Sequence, residues 1–243
     1  MAVDAKCCCW HRSNRINRVR STDREPPRTT RGTATRRRIV AAAAKLIRRR
    51  GIGSASLDEV LKASGTSKSQ LYHYFADKDD LMLAVIRCQA ESVLATQVEY
   101  LNDATSIEGL RRWRDGIVEL TRQNHGAGGC PLGSLVSELA ESPRPRDVLQ
   151  EGFARLEAGF LDRLRAIRGD NTSIRETDLA DLATTLLTSL QGGLLLAQTM
   201  RSTRPLELAL DAAIDHVAAR LQHAGQRARP KSNRTRRTSQ SRR

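Results

Sequence analysis

Apolar residues recur every three or four positions through most of the chain, the period of a helix with one buried face. Ile39, Ala42, Ala43, Leu46 and Ile47 predict a first helix from about Thr35 to Arg50, closed by Gly51 and arginine-rich on its other side. Ser56-Leu57-Asp58-Glu59 has the S-x-x-E form of a capping box, and Leu57, Val60 and Leu61 give the apolar side of a second, short helix ending at Gly65. A third follows almost at once. Ser67 is suited to cap it, Leu71 and Phe75 stand four apart on one face, and Lys68, Ser69, Gln70, Tyr72, His73 and Tyr74 are left to point elsewhere. Two short helices joined by a tight glycine turn predict a helix-turn-helix, with the first helix as its support.

Beyond Asp79, with Asp77 as cap, Leu81, Leu83, Ala84, Ile86, Val93, Leu94, Val98 and Leu101 predict one long helix suited to joining two domains rigidly. Another is expected from Ile107 to Gln123, broken by His125-Gly126-Ala127-Gly128-Gly129. Cys130-Pro131-Leu132-Gly133 leads into a short helix through Leu135, Val136 and Leu139, and Pro143 and Pro145 separate that from a helix over Asp147 to Arg168. The last two run from about Asp178 to Met200 and from Leu206 to Gln222. The former is apolar around much of its circumference, and Gly192-Gly193 permits another helix to approach closely, so this hairpin is the expected homodimer interface. The expected fold is all-α, with about nine helices. Residues 34–80 are expected to form a helix-turn-helix domain and 81–223 a larger helical domain that carries the dimer interface, between a disordered basic arm (1–33) and a disordered basic tail (224–243).

Composition agrees and adds charge. Of 243 residues 28% are charged and 3% aromatic, which favours helix over sheet, and the formal net charge is +14. Residues 1–33 hold eight Lys/Arg against three Asp/Glu, and residues 224–243 hold eight against none, so nearly all the net charge lies in the two ends. Residues 34–80 carry ten bases and five acids. The basic regions are therefore the ends and the helix-turn-helix, a distribution that suits a polyanionic partner. Cys7, Cys8, Cys9, Cys88 and Cys130 have no framework spacing, and the adjacent Cys7-Cys8-Cys9-Trp10-His11 lacks the spacing of a zinc site, so no metal is expected. With no signal-peptide core and no run of about 18 apolar residues, the expected location is the cytoplasm, without membrane contact.

The stretch Gly51-Ile52-Gly53-Ser54-Ala55-Ser56-Leu57-Asp58-Glu59-Val60, followed by Ala63-Ser64-Gly65-Thr66-Ser67-Lys68-Ser69-Gln70-Leu71-Tyr72-His73-Tyr74-Phe75-Ala76-Asp77-Lys78-Asp79-Asp80-Leu81, resembles the TetR family of transcriptional regulators over residues 35 to 81. Gly129-Cys130-Pro131-Leu132-Gly133-Ser134-Leu135 is similar to a motif in a subset of that family. Ala55 departs from the family's usual Thr, and the adjacent Ser56 is expected to take over the cap. The resemblance implies a homodimeric repressor that leaves a palindromic double-stranded operator when a small, apolar effector binds.

In a helix-turn-helix the start of the reading helix enters the major groove, so Lys68, Ser69 and Gln70 are placed to reach base edges, with His73 one turn on. The resemblance makes Tyr72, Tyr74 and Lys78 phosphate contacts, and Ser56, Thr66 and Ser67 at the helix starts complete the expected DNA-binding set. Arg36-Arg37-Arg38 and the tail can add nonspecific attraction. On the effector side Trp113, His125, Cys130, Phe153, Phe160 and Gln191 are candidate pocket linings, as is Met200, each against a plain core role. Cys130, ahead of a helix start, is a candidate sensor thiol with a lowered pKa. An alternative reading, a nonspecific nucleic-acid-binding structural protein, rests on the basic ends alone. Enzymatic readings have little footing. Gly51-x-Gly53 follows a helix, Gly126 to Gly133 lacks a P-loop Lys-Ser/Thr, and the histidines lack metal spacing, so neither catalysis nor a cofactor is expected.

Overall fold

The computed structural model describes residues 29–127, 129–170 and 173–227. The cluster at Cys7 to His11 and the basic stretch beyond Arg227 lie outside these residues. The described residues form nine α-helices and no strand: α1 (Thr30–Arg50), α2 (Leu57–Ser64), α3 (Lys68–Tyr74), α4 (Lys78–Leu101), α5 (Ile107–Gln123), α6 (Val136–Leu139), α7 (Pro143–Arg168), α8 (Glu176–Met200) and α9 (Arg204–Arg227). One 3-10 turn, Gly133–Leu135, runs directly into α6.

Several boundaries differ from expectation, each for a local reason. Helix α1 starts at Thr30 rather than about Thr35, because the Thr29 hydroxyl accepts the Gly32 N–H at 3.1 Å and caps it, so the last residues assigned to the arm are helical. Helix α7 starts at Pro143, not at Asp147. The first-turn N–H groups of a helix have no intrahelical acceptor, so prolines there forfeit nothing, and both Pro143 and Pro145 lie inside the first turn. Helix α9 continues to Arg227, past Gly225, where the tail was expected to begin.

Two hydrophobic clusters form the interior. The first joins Ile39, Ala43 and Ile47 of α1, Val60 of α2, Leu71 and Phe75 around α3, and Leu81 to Ile86 of α4, and it continues without a break to Leu132, Leu135, Leu149 and Leu156. The second gathers Leu110, Trp113 and Ile117 of α5, Phe160 and Leu164 of α7, Leu179 to Leu190 of α8 and Leu206 to Val217 of α9. Helices α8 and α9 form an antiparallel hairpin in which Gly193 is indispensable for the close approach: a Cβ there would lie 2.9 Å from the Leu206 Cα. At Gly192, one residue earlier, nothing stands within 4 Å. Helices α4 and α8 are apolar enough, at mean hydropathies of 1.2 and 1.3, to pass a length-and-composition test for a membrane span. Helix α4 packs between α1 and α7, and α8 packs against α7 and α9 but leaves Leu195, Leu196 and Met200 near its end exposed.

Candidate nucleic-acid interface and effector cavity

Helix α2 begins with the expected capping box. The Ser56 Oγ accepts the Glu59 N–H and the Glu59 carboxylate accepts the Ser56 N–H, both at 3.2 Å. Arg50, the last residue of α1, donates to the same carboxylate, so the ends of α1 and α2 are tied together. Those bonds, led by the Ser56 backbone and hydroxyl, hold the Glu59 carboxyl below its ordinary value. Helix α2 stops at Gly65, which is left-handed at φ 62°, a conformation that glycine adopts at little cost.

The next residues decide what α3 can present. Thr66 is buried, its hydroxyl paired with the Ser64 hydroxyl at 2.7 Å, so it holds the turn from inside and its side chain is not on the outer face where a DNA contact was expected. Ser67 caps α3 through a second capping box: its Oγ accepts the Gln70 N–H at 3.2 Å, and the Gln70 Oε1 accepts the Ser67 N–H at 3.0 Å. Leu71 and Phe75, 1% and 0% exposed, pin the helix to its support, and the Arg36 guanidinium lies 5.0 Å from the Phe75 ring centre. Lys68, Ser69, Gln70, Tyr72 and His73 remain on the exposed side, with Tyr74 half-buried and packed edge-on against His73. Asp77 caps α4 by accepting the Asp80 N–H at 2.7 Å, which leaves Lys78 exposed in its first turn just beyond α3. The result is a seven-residue helix whose outer side is polar, cationic and aromatic, narrow enough to lie in a major groove about 12 Å wide.

A cavity of about 360 Å³ is lined in part by the second half of α4. Its walls are Val93 and Gln97 of α4, Trp113, Ile117 and Leu120 of α5, Leu156 of α7 and Leu190 and Leu194 of α8, with Asn124, Gly126, Ala127, Gly129, Cys130 and Pro131 from the segment after α5 and Arg48 of α1. Three of the residues proposed from sequence line it: Trp113, Cys130 and Gln191. The others do not. His125 is exposed in the loop at φ 51°, Phe153 packs half-buried on the first cluster, Met200 is 63% exposed, and Phe160 is sealed in the second cluster with its ring edge-on to Trp113 at 5.1 Å.

Cys130 is buried, and burial pushes its thiol pKa up. The Gly133 and Leu132 N–H groups and the Gln191 amide oppose this only in part. The expected lowering is not found: desolvation of the buried thiol outweighs the nearby helix start. Gln97 was overlooked, although a sequence signal exists: it falls between Val93 and Leu101 at fourfold spacing, a polar residue on an otherwise apolar row. Its Nε2 donates to the Leu156 carbonyl at 3.3 Å, while its Oε1 and the Trp113 Nε1 are buried without partners. Buried polar atoms without a partner are energetically costly.

Residues 39–85 match the family model of bacterial regulatory proteins of the tetR family, and residues 106–212 match the C-terminal domain of LmrA/YxaF-like transcriptional regulators. An uncharacterized HTH-type transcriptional regulator of Mycobacterium tuberculosis is 32% identical over 183 residues, spanning 71% of this chain and 89% of that protein. The HTH-type transcriptional regulator LmrA of Bacillus subtilis is 24% identical, spanning 71% and 90%. Among solved structures, the regulatory protein TetR from Rhodobacter sphaeroides superposes with a TM-score of 0.64 at 21% identity, over 75% of this chain and 98% of that one.

Proposed function

The chain belongs to the TetR family of DNA-binding transcriptional regulators, and from that premise we propose a cytoplasmic homodimeric repressor that leaves a palindromic operator when a small molecule fills the cavity. The supporting observation is the course of α4. Leu81 to Ile86 pack in the same cluster as the reading helix, while Ser92 to Gln97, two to three turns further along, line the cavity. A ligand that binds one tilt of this helix better than another shifts the spacing of two reading heads by population shift, and a dimer whose heads no longer match successive half-sites loses its operator.

On this reading Lys68, Ser69, Gln70 and His73 read bases, while Tyr72, Tyr74 and Lys78 hold phosphates. Gln70 has a constraint: its Oε1 already accepts the Ser67 N–H in the α3 capping box, which fixes the direction in which its amide can meet a base. The dimer forms through α8 and α9, where Leu195, Leu196, Met200 and Leu208 are exposed by 64%, 47%, 63% and 52%, a concentration of apolar surface suited to a second copy. The basic ends add nonspecific attraction. Selecting binding sites from randomised duplexes and comparing the winner with its scrambled version by gel shift tests the reading. Strong preference for a palindrome is expected, retained after removal of residues 1–28 and 228–243; equal affinity for scrambled DNA would sink it.

A further inference from the structure

The cavity carries a charge signature that narrows what it accepts. Its walls are mostly apolar, from Trp113, Ile117, Leu120, Leu156, Leu190 and Leu194. Among the described residues no carboxylate lines it, and Arg48 is the only charged side chain that does. Arg48 is exposed and comes from the last turn of α1, in the helix-turn-helix unit, so it lines the cavity from a different part of the molecule than every other wall residue. No described acid pairs with it, whereas its neighbour Arg50 is held by Glu59. Ser92 and Thr96, one turn apart on α4, supply further polar lining. The Trp113 Nε1 and Gln97 Oε1, of two lining residues, are buried without a partner; the indole N–H can only donate, as to an anion, and the amide oxygen can only accept, so the charge preference rests on Arg48.

We propose that the effector is an amphipathic monoanion, an apolar body carrying one carboxylate or similar acidic group, whose body occupies the cavity and whose charge pairs with Arg48. An always-charged guanidinium with no competing acid favours an anionic over a neutral head, and no carboxylate among the described lining residues can pair with a cationic one. The pairing also gives the ligand direct purchase on α1. An anion bound to Arg48 draws on the end of α1, which is joined through Arg50 and Glu59 to α2 and through the Ile52 N–H, donating to Glu138 at 3.3 Å, to α6. The inference rests on the effector-cavity reading above and goes beyond it by naming the ligand's charge and the residue that recognises it.

The test uses full-length protein and two probes of the same chain length, decanoate and decanamide, titrated calorimetrically below their aggregation limits. Decanoate is expected to bind the wild type about tenfold more tightly than decanamide, the preference a charged hydrogen-bonded pair supplies. Arg48→Gln should erase that preference while leaving decanamide affinity unchanged; because Arg48 is exposed and unpaired among the described residues, the variant folds normally. Equal affinity of the two probes for the wild type overturns the inference and leaves the cavity reading standing. An acid preference that survives in Arg48→Gln assigns it to the protein's general positive charge and likewise overturns the inference. Failure of both probes to bind overturns the inference and the cavity reading together.

Discussion

Gly192 and Gly193 are adjacent, chemically identical and on the same helix, yet the structure gives them opposite surroundings, so replacing each with alanine isolates one packing contact. Alanine gains about 1 kcal/mol over glycine in a helix interior, and this term acts at both positions and cancels in the comparison. At 192 the new methyl meets nothing within 4 Å. At 193 it would lie 2.9 Å from both the Cα and the Cδ1 of Leu206. The Cδ1 can rotate away, but the Cα belongs to the backbone of α9, and relieving it requires the hairpin to spread. Overpacking of this kind costs about 1–3 kcal/mol, and backbone contact places it in the upper half of that range. Gly193→Ala should therefore be less stable than Gly192→Ala by about 2–3 kcal/mol. In a protein of this size that corresponds to roughly 4–12 °C between the two melting temperatures. Urea and thermal unfolding followed by far-ultraviolet circular dichroism, at matched protein concentration, measure the difference. Equal stability of the two variants would refute the close α8 to α9 approach from which the estimate is built.

Three further outcomes are expected. Lys68→Ala should weaken operator binding by about 1–3 kcal/mol and relax discrimination at one base position, whereas Tyr72→Phe should weaken operator and scrambled duplex alike; gel shifts on both DNAs separate the two, and identical profiles would remove the division of labour on α3. The Glu59 carboxyl is held below its ordinary 4.5 in the folded state, so its contribution is fully present above that value and is lost as pH falls through the lowered folded value. Urea unfolding from neutral to acid pH should accordingly show a shallower acid loss in Glu59→Gln than in the wild type. Cys130, buried and with its thiol pushed up, should resist alkylation in the native protein and react readily once urea unfolds it; rapid native labelling at Cys130, located by peptide mass mapping, would contradict its placement.

The helices and their order were legible because an apolar stripe with helical period leaves little alternative, and capping chemistry was legible where it is strictly local, as at Ser56, Ser67 and Asp77. Helix starts were misjudged where a residue's meaning depends on position. Proline ends a helix interior but begins one equally well, and Pro143 does the latter. Thr66 shows the limit for side-chain direction: a polar residue in a recognition turn reads as a contact, while only the folded turn reveals that its hydroxyl closes on Ser64. The cavity was the least legible feature. Its walls draw on five helices and a loop, with α1 and α7 contributing a single residue each, so no periodicity in any one segment marks Arg48 or Leu156 as neighbours. Cys130 was misread for the same reason, since a helix start nearby is visible in sequence and the desolvation that overrides it is not.

The first hydrophobic cluster has a consequence for how such a protein can be recombined. The residues that seat α3 do not end with the helix-turn-helix; they share one apolar interior with Leu132, Leu135 and Leu149, which lie far along the chain. Cutting the gene near residue 80 and grafting the reading head of a relative onto this body would leave half of that interior facing side chains it was not shaped for. A functional chimaera would have to carry the matching stretches of α4, of the turn before α6 and of the start of α7 along with the head. Operator specificity is therefore exchangeable one exposed α3 side chain at a time far more readily than by trading whole modules.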